Sequence, residues 1–276
     1  MKQKEFIKKF FVYFFLIIGS LIMIFPFYWM LSSAAKTPAE YASFPPKWWP
    51  NNWLNFSNYI EAFKTADFVT YFKNSFFVVI VSVTINTITT ILAAFAFSRL
   101  RFTGRKMAFT ALLSFMMVPF EMLVITNYQT VAKLGLVNTI WVLIIPFTTS
   151  IFYTYILKNF FDTIPDSLYY SAKIDGASNW KYLWRVMIPI AKPSLFTIIL
   201  LNVIASWNSY LWTQLTIFSD KYRTVPLGLA AFMTDAGSNP QLQLSAAAVT
   251  VLPMIVLFLF FRKYIVSGVS SGGIKG

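Results

Sequence analysis

The chain contains no histidine and no cysteine. Their absence excludes disulfides, thiolate metal sites, haem held by histidine, and Ser-His or Cys-His nucleophilic catalysis. No G-x-x-x-x-G-K-[ST] segment occurs, so there is no phosphate-binding loop of that type. Charge is scarce too: Asp, Glu, Lys and Arg make up 12% of 276 residues, about half the share in soluble domains. No metal-ligand or acid–base cluster stands out, which argues against a membrane-embedded enzyme. What fills the chain is apolar: 57% of residues are hydrophobic and 19% aromatic.

The apolar residues are gathered in long uncharged runs at 10–35, 74–98, 134–157, 193–219 and 236–261. A further run, 107–132, is interrupted only by Glu121. Each is at least as long as the roughly 20 residues a helix needs to cross the hydrocarbon core. The reading is an all-α membrane protein of six spans, at about 10–33, 74–97, 107–125, 138–160, 195–216 and 244–261. One transmembrane domain, 1–276, is expected, because the loops are too short to fold alone. The first run is about twice the length of a signal-peptide core and has no small-residue cleavage site, so it is expected to be retained.

The net charge of +13 raises nucleic acid as a partner. Its distribution points to topology instead. With both termini inside, most of the 23 basic residues fall on the inner side. They cluster at Lys2, Lys4, Lys8 and Lys9, at Arg99, Arg101, Arg105 and Lys106, at Lys158, Lys173, Lys181, Arg185 and Lys192, and near the C-terminus. The acidic residues divide more evenly. That is the positive-inside pattern of a multi-pass plasma-membrane protein with cytoplasmic termini, and no nucleic-acid partner is expected.

Polar residues interrupt the spans at informative places. Span 2 carries Ser82, Thr84, Asn86, Thr87, Thr89 and Thr90, and span 5 carries Asn202, Trp207 and Asn208. Glu121 lies near the outer end of span 3. Such groups either pack against neighbouring helices or line an aqueous path. Pro26, Pro119, Pro146 and Pro253 suit a bundle that moves, although lipid-facing helices tolerate proline as well. No internal repeat is evident, so the pseudo-symmetry of a transporter would need a second, homologous subunit.

The inner loop at about 162–193 is a mixed polar segment between two apolar runs. Pro165 is suited to open a helix, with Asp166 and Ser167 as acceptors at its start. Leu168, Ala172 and Ile174 offer an apolar side, and Gly176 is placed to stop the helix at positive φ. Ser178 is a good cap for a second helix, whose Trp180, Leu183, Trp184 and Met187 share one face at helical spacing. Pro189 and Pro193 return the chain to the membrane. A helix–turn–helix with an apolar face and no core of its own either docks a partner or lies in the lipid boundary.

Ser171-Ala172, Asp175-Gly176-Ala177 and Pro189 resemble the EAA loop of ABC-importer membrane subunits. The glutamate that names this motif is replaced by Tyr170, preceded by Tyr169. The likeness continues over nearly the whole chain. It includes residues 25–30 (FPFYWM), Phe44-Pro45-Pro46, Asn58-Tyr59, residues 98–105 (SRLRFTGR), residues 134–139 (LGLVNT), Trp207-Asn208 and residues 224–229 (TVPLGL). The C-terminal Gly272-Gly273-Ile274-Lys275-Gly276 is similar to the tail of the maltose-type second permease. The chain is thus similar to carbohydrate-uptake permeases of the binding-protein-dependent transport inner-membrane family.

That resemblance implies a type I ABC importer fold with a cytoplasmic coupling loop. It implies a heterodimer with a homologous second permease, two ABC ATPase subunits, and an extracellular substrate-binding protein or lipoprotein. ATP and Mg belong to the ATPase, and this chain binds no cofactor. Tyr170, Ser171, Ala172, Asp175, Gly176, Ala177 and Pro189 are the expected ATPase-docking residues, with Gly273, Lys275 and Gly276 in an ATPase-facing tail. A di- or oligosaccharide is the expected cargo, with glycerol phosphate or another polyol derivative as the alternative and a self-contained carrier as the remote one. Candidate path residues are Asn86, Glu121, Trp207 and Asn208. In maltose-type importers the partner permease makes the sugar contacts, which leaves their role open.

Overall fold

The computed structural model describes residues 2–235 and 239–272. Every regular element among them is helical. The chain divides into two compact units, Met1–Val69 with Gly228–Ile255, and Thr70–Leu227 with Val256–Gly276.

The first unit begins with α1 (Lys2–Ala34). None of its apolar window is buried by protein, and the consecutive Phe15, Leu16 and Ile17, which point to different sides of the helix, are all exposed. A helix that is apolar all round and packs on nothing requires hydrocarbon as its solvent. The loop after it is folded back onto its end. The Trp48 carbonyl accepts from the Tyr28 hydroxyl at 2.6 Å and from Ser32 Oγ at 2.8 Å. The buried Lys36 ammonium donates to the Lys47 carbonyl at 2.6 Å and stands 4.2 Å from the Trp29 ring centre. Burial holds Lys36 below the usual lysine range, with the attraction of Glu40 opposing that shift. Asn58 donates to the Ala34 and Lys36 carbonyls, each at 2.8 Å, satisfying the C-terminal groups that helix ends leave open.

The short helix α2 (Pro38–Tyr41) is closed by a capping box. Glu40 Oε2 accepts from the Thr37 N–H at 2.8 Å, and Thr37 Oγ1 accepts from the Glu40 N–H at 3.3 Å. The other Glu40 oxygen accepts from the Asn51 N–H at 2.8 Å. These backbone donors hold the Glu40 carboxyl below its usual range. Next, α3 (Ser57–Thr65) folds where residues 55–63 alternate at helical spacing.

The second unit is built on α4 (Phe68–Arg99), an unbroken apolar helix. The apolar run that follows it is not one straight span. It folds as α5 (Arg105–Met116) and α6 (Phe120–Lys133), which meet at 99°. The corner is Pro119, extended at φ −61° and ψ 141°. Proline has no N–H for the helix ladder and biases the residue before it away from α geometry. Pro146 acts similarly, lying in the 3₁₀ turn Ile145–Phe147 after another at Ile140–Leu143. An α-helix, α7 (Ile151–Asp162), resumes only after Ser150, whose hydroxyl accepts from the Tyr153 N–H. By contrast, Pro26 and Pro253 lie inside unbroken helices.

The loop helices are α8 (Asp166–Ile174) and α9 (Asn179–Tyr182), followed by a π-helical turn at Leu183–Met187 and α10 (Ile188–Ile190). An 80° bend then leads into α11 (Lys192–Trp207). The chain continues through α12 (Leu211–Thr216), α13 (Val225–Asp235) and α14 (Pro240–Gly272). Among the described residues, four helical segments are long and apolar enough to cross a membrane, or up to six if each bent pair is one span.

Two apolar clusters hold this unit. One packs Ile91 and Phe95 of α4 and Leu157 and Phe161 of α7 with Tyr182, Leu183, Met187, Leu195 and Ile198. The other gathers Val78, Val131, Val142, Leu143, Ile144 and Trp212. The indole of Trp212 donates to the Val142 carbonyl at 3.0 Å, so its one polar atom is satisfied in the core.

Candidate functional site

The segment after α7 is a rigid, outward-facing helical hairpin. Its turn is a complete Schellman motif. The Gly176 N–H bonds the Lys173 carbonyl at 3.0 Å, and the Ala177 N–H bonds the Ala172 carbonyl at 2.8 Å. Gly176 has φ +72°, the left-handed conformation that glycine adopts without steric cost. Ser178 then caps α9, its hydroxyl accepting from the Lys181 N–H at 3.1 Å. The spacing of Ala172, Asp175-Gly176-Ala177 and Ser178 is therefore one stop-and-restart signal.

Two local expectations are corrected. Asp166 and Ser167 do not cap α8, which has no side-chain cap; Asp166 instead reaches Arg99 at 3.3 Å. Nor do Trp180, Leu183, Trp184 and Met187 share one environment. Leu183 and Met187 are buried, while Trp180 and Trp184 are 59% and 43% exposed. Trp180 and Trp184, four apart, take the outer edge of the stripe, and Leu183 and Met187, four apart, take the inner edge; a π-helical turn begins at Leu183, whose carbonyl accepts from the Ile188 N–H five residues on. The two indoles pack edge to face at 5.6 Å.

The buried side of the hairpin is anchored by aromatics and by one arginine. Tyr169 packs on Tyr182 at 5.1 Å, and its hydroxyl donates to Asn179 Oδ1 at 2.9 Å. Arg99, the last residue of α4, is only 8% exposed. One of its terminal nitrogens donates to the Phe161 carbonyl at 2.8 Å and to the Ile164 carbonyl at 2.6 Å. Its other terminal nitrogen faces Ser98 Oγ at 3.2 Å and Asp166. Arg99 thus ties the end of α4 to the end of α7 and the start of α8. Beside it, Ser98 Oγ donates to Asp162 at 2.7 Å, and Lys158 pairs with the same carboxylate at 2.6 Å.

The outer side of the hairpin presents apolar and aromatic groups at the surface. Ile174 is 86% exposed, and Tyr170, Leu168, Trp180 and Trp184 are also exposed. Ser171, Asp175, Gly176 and Pro189 lie on the surface, with Ala172 and Ala177 half-buried. The Tyr170 hydroxyl accepts from Arg101 at 2.8 Å, so the position of the motif glutamate here engages a guanidinium of the same chain. The tail residues Gly273, Lys275 and Gly276 lie outside the described residues.

The candidate path residues are dispersed in role. Asn86 is buried, and its amide donates to the Phe147 carbonyl at 2.9 Å while its oxygen accepts from Thr90 at 3.3 Å. Trp207 is buried against Phe76 and Phe72. Asn208 is exposed and donates back to the Ile204 carbonyl at 3.0 Å, while Glu121 is exposed in the first turn of α6. None of these four lines a cavity that lies beside α4, α11 and α12 in the second unit. That cavity measures about 140 Å³ and is bordered by Ser82, Asn202, Ser206, Ser209, Thr213 and Thr224, with Phe147 and Leu143 among its apolar walls. The polar spacing at 202, 206, 209 and 213 is a helical stripe visible in the sequence. Arg99, by contrast, gave no local signal beyond its basic loop, because its partners lie more than sixty residues away. No group of three or more Asp and Glu among the described residues is placed to hold a metal ion.

The family described as "Binding-protein-dependent transport system inner membrane component" matches residues 6–271. The chain is 32% identical to the arabinooligosaccharides transport system permease protein AraQ of Halalkalibacterium halodurans, over 81% of this chain and 80% of that one. It is 34% identical to the trehalose/maltose transport system permease protein MalG of Thermococcus litoralis, over 95% and 96%. Its fold is similar to a chain in the crystal structure of a bacterial ABC transporter that imports the acidic polysaccharide alginate. That match has a TM-score of 0.84 at 24% identity and covers 95% of this chain and 97% of that one.

Proposed function

Because the chain belongs to the binding-protein-dependent inner-membrane family, whose members are the multi-pass permease subunits of ABC importers with a separate ATPase, we propose that it forms half of an uptake path for a neutral di- or oligosaccharide. Its relatives carry names of oligosaccharide systems, among them arabinooligosaccharides and trehalose/maltose. In this reading a homologous permease completes the path, and two ATPase subunits sit on the cytoplasmic face. An extracellular binding protein delivers the sugar. Both termini and the 162–193 hairpin are cytoplasmic, as the basic excess of those segments favours. The chain itself binds no cofactor; ATP and Mg stay on the ATPase.

The observation that carries the reading is the hairpin, pinned by Arg99 and Tyr169 on one side and apolar on the other. A lever with an exposed aromatic face transmits motion from a subunit docked on it. ATP-driven closure of the ATPases would shift the hairpin, and Arg99 would pass that shift to α4. Alternating access follows by rigid-body motion. The test is purification of the tagged chain in mild detergent with its operon partners. Recovery of a second permease and an ATPase is expected, with ATP-dependent uptake of trehalose, maltose or an arabinooligosaccharide in liposomes. Replacing Trp180 and Trp184 by alanine should release the ATPase, since aromatic anchors dominate interface energies. A chain that transports alone without ATP would sink the proposal.

A further inference from the structure

Beside the hairpin, the loop that joins α4 to α5 forms one wall of an open cleft. Arg101 and Phe102 of that loop border it together with Tyr169, Tyr170 and Asn179, around a space of about 440 Å³. Arg101 is at the surface, and Tyr170 is 49% exposed. One terminal nitrogen of Arg101 donates to the Tyr170 hydroxyl at 2.8 Å. A guanidinium carries several N–H donors in a fixed fork, and among the described residues no ion pair includes Arg101. Because the Tyr170 oxygen accepts from Arg101, its own proton can still be donated.

The charge of the cleft is one-sided. Arg99 and Arg101 border it, and no acidic residue does. Arg99 is engaged within the chain by Asp166 and by two carbonyls. The carboxylate of Asp162, at the end of α7, is taken by Lys158 and Ser98. A glutamate at position 170, as in the importer motif, would neutralise Arg101 inside this chain. Tyrosine accepts the hydrogen bond without supplying negative charge, so a positive charge stays at the surface. Through Tyr170 the cleft is continuous with the exposed face of the hairpin that carries Leu168 and Ile174.

We propose that this cleft takes the carboxylate of an aspartate or glutamate side chain on the docked ATPase, held by the Arg101 guanidinium and the Tyr170 hydroxyl. A guanidinium fork fits a carboxylate through two parallel hydrogen bonds. Once a subunit covers the cleft, the aromatic walls Phe102 and Tyr169 keep water from that contact. The same charge repels an ATPase with a basic side chain at that place, so the cleft selects among ATPases. The inference rests on the importer reading and deepens it.

The chain and its second permease are assembled in phosphatidylcholine nanodiscs. The ATPase recovered with the unsubstituted complex, identified by mass, is titrated back. Recovery of no ATPase removes the importer reading and this inference together. Arg101→Gln should weaken ATPase binding by about tenfold or more, as loss of one side of a close interfacial charge pair does. Tyr170→Gln removes the phenol without adding charge, and Tyr170→Glu has the same length with the charge. The Tyr170→Glu complex should bind the ATPase more weakly than the Tyr170→Gln complex, because its carboxylate neutralises Arg101 and repels the incoming one. Binding that is equal or tighter overturns the inference and leaves the importer reading intact.

A second measurement locates the partner group. Arg101→Lys keeps the charge and supplies an amine. A carbodiimide joins an amine to a carboxylate in direct contact, so it should link position 101 to an aspartate or glutamate of the ATPase, read from the mass of the joined peptides. Linkage to no ATPase carboxylate overturns the inference. If Arg101→Gln weakens binding only after phosphatidylglycerol is added to the nanodiscs, the cleft is a lipid-headgroup site, and the inference fails.

Discussion

At the scale of single residues, Arg99 and Gly176 do different work on the same hairpin. Arg99 supplies charge-assisted hydrogen bonds to the Phe161 and Ile164 carbonyls where α7 ends. Hydrogen bonds to a charged group contribute about 1.5–3 kcal/mol, so Arg99→Gln should lower thermal stability measurably. Its more specific effect is on coupling. The complex should still hydrolyse ATP, while sugar transported per ATP falls, because the link from hairpin to α4 is cut. Equal loss of both activities would argue for a merely structural arginine. At Gly176 an added Cβ would meet no neighbour within 4 Å, yet the backbone holds φ at +72°. Only conformation penalises a substitution there, by about 1–2 kcal/mol for an ordinary L-residue. Gly176→Val should therefore reduce uptake about 5- to 30-fold, the factor that energy represents. Gly176→Asn should retain most activity, because asparagine tolerates the left-handed region. If valine and asparagine behave alike, the turn conformation is not what matters.

At the scale of elements, the loop after α1 gives a pH-dependent prediction. Three backbone and side-chain donors stabilise the Glu40 carboxylate in the folded loop. Its native pKa lies below the unfolded one, so its stabilisation is present above the ordinary range and lost as pH falls through the lowered value. The protection of the Thr37 and Asn51 amides, relative to their intrinsic exchange rates at each pH, should be high at neutral pH and fall on acidification below the ordinary glutamate range. Glu40→Gln should speed that exchange at neutral pH and abolish the acid step. The elements also show how much of the fold was legible. Composition alone marked the long apolar helices α1, α4 and α14, and Ser178, Gly176 and Pro165 marked the hairpin ends. The same residue type then had two outcomes: Pro119 is the corner between α5 and α6, while Pro26 and Pro253 sit inside helices. Whether a proline breaks or merely interrupts depends on what offsets the lost hydrogen bond, and that is decided by packing. The split between Trp180 and Leu183 was hidden for a similar reason, since only packing decides which edge of an apolar stripe is covered. Asn202 was visible as a polar residue in an apolar run, but the burial of its amide nitrogen without a hydrogen-bond partner among the described residues is a three-dimensional fact.

At the scale of the whole molecule, charge placement and lipid exposure make one joint prediction about orientation. α1 has no protein cover over its apolar window, so lipid is the solvent that satisfies it. Its basic N-terminal end and the hairpin lie on the same side if the positive-inside rule holds. The aromatic loop with Trp48 and Trp49, and α3 after it, then lie on the opposite side. The cysteine-free chain permits a clean test with exposed single thiols. Lys64→Cys is on α3 and Lys181→Cys on the hairpin, both at the surface. A membrane-impermeant maleimide added to intact cells should label Lys64→Cys at once and Lys181→Cys only after permeabilisation. Labelling of Lys181→Cys in the assembled complex should also be slower than in the isolated chain, because a docked ATPase shields the hairpin. The reverse sidedness would place the hairpin away from ATP, and the lever described here would have nothing to drive it.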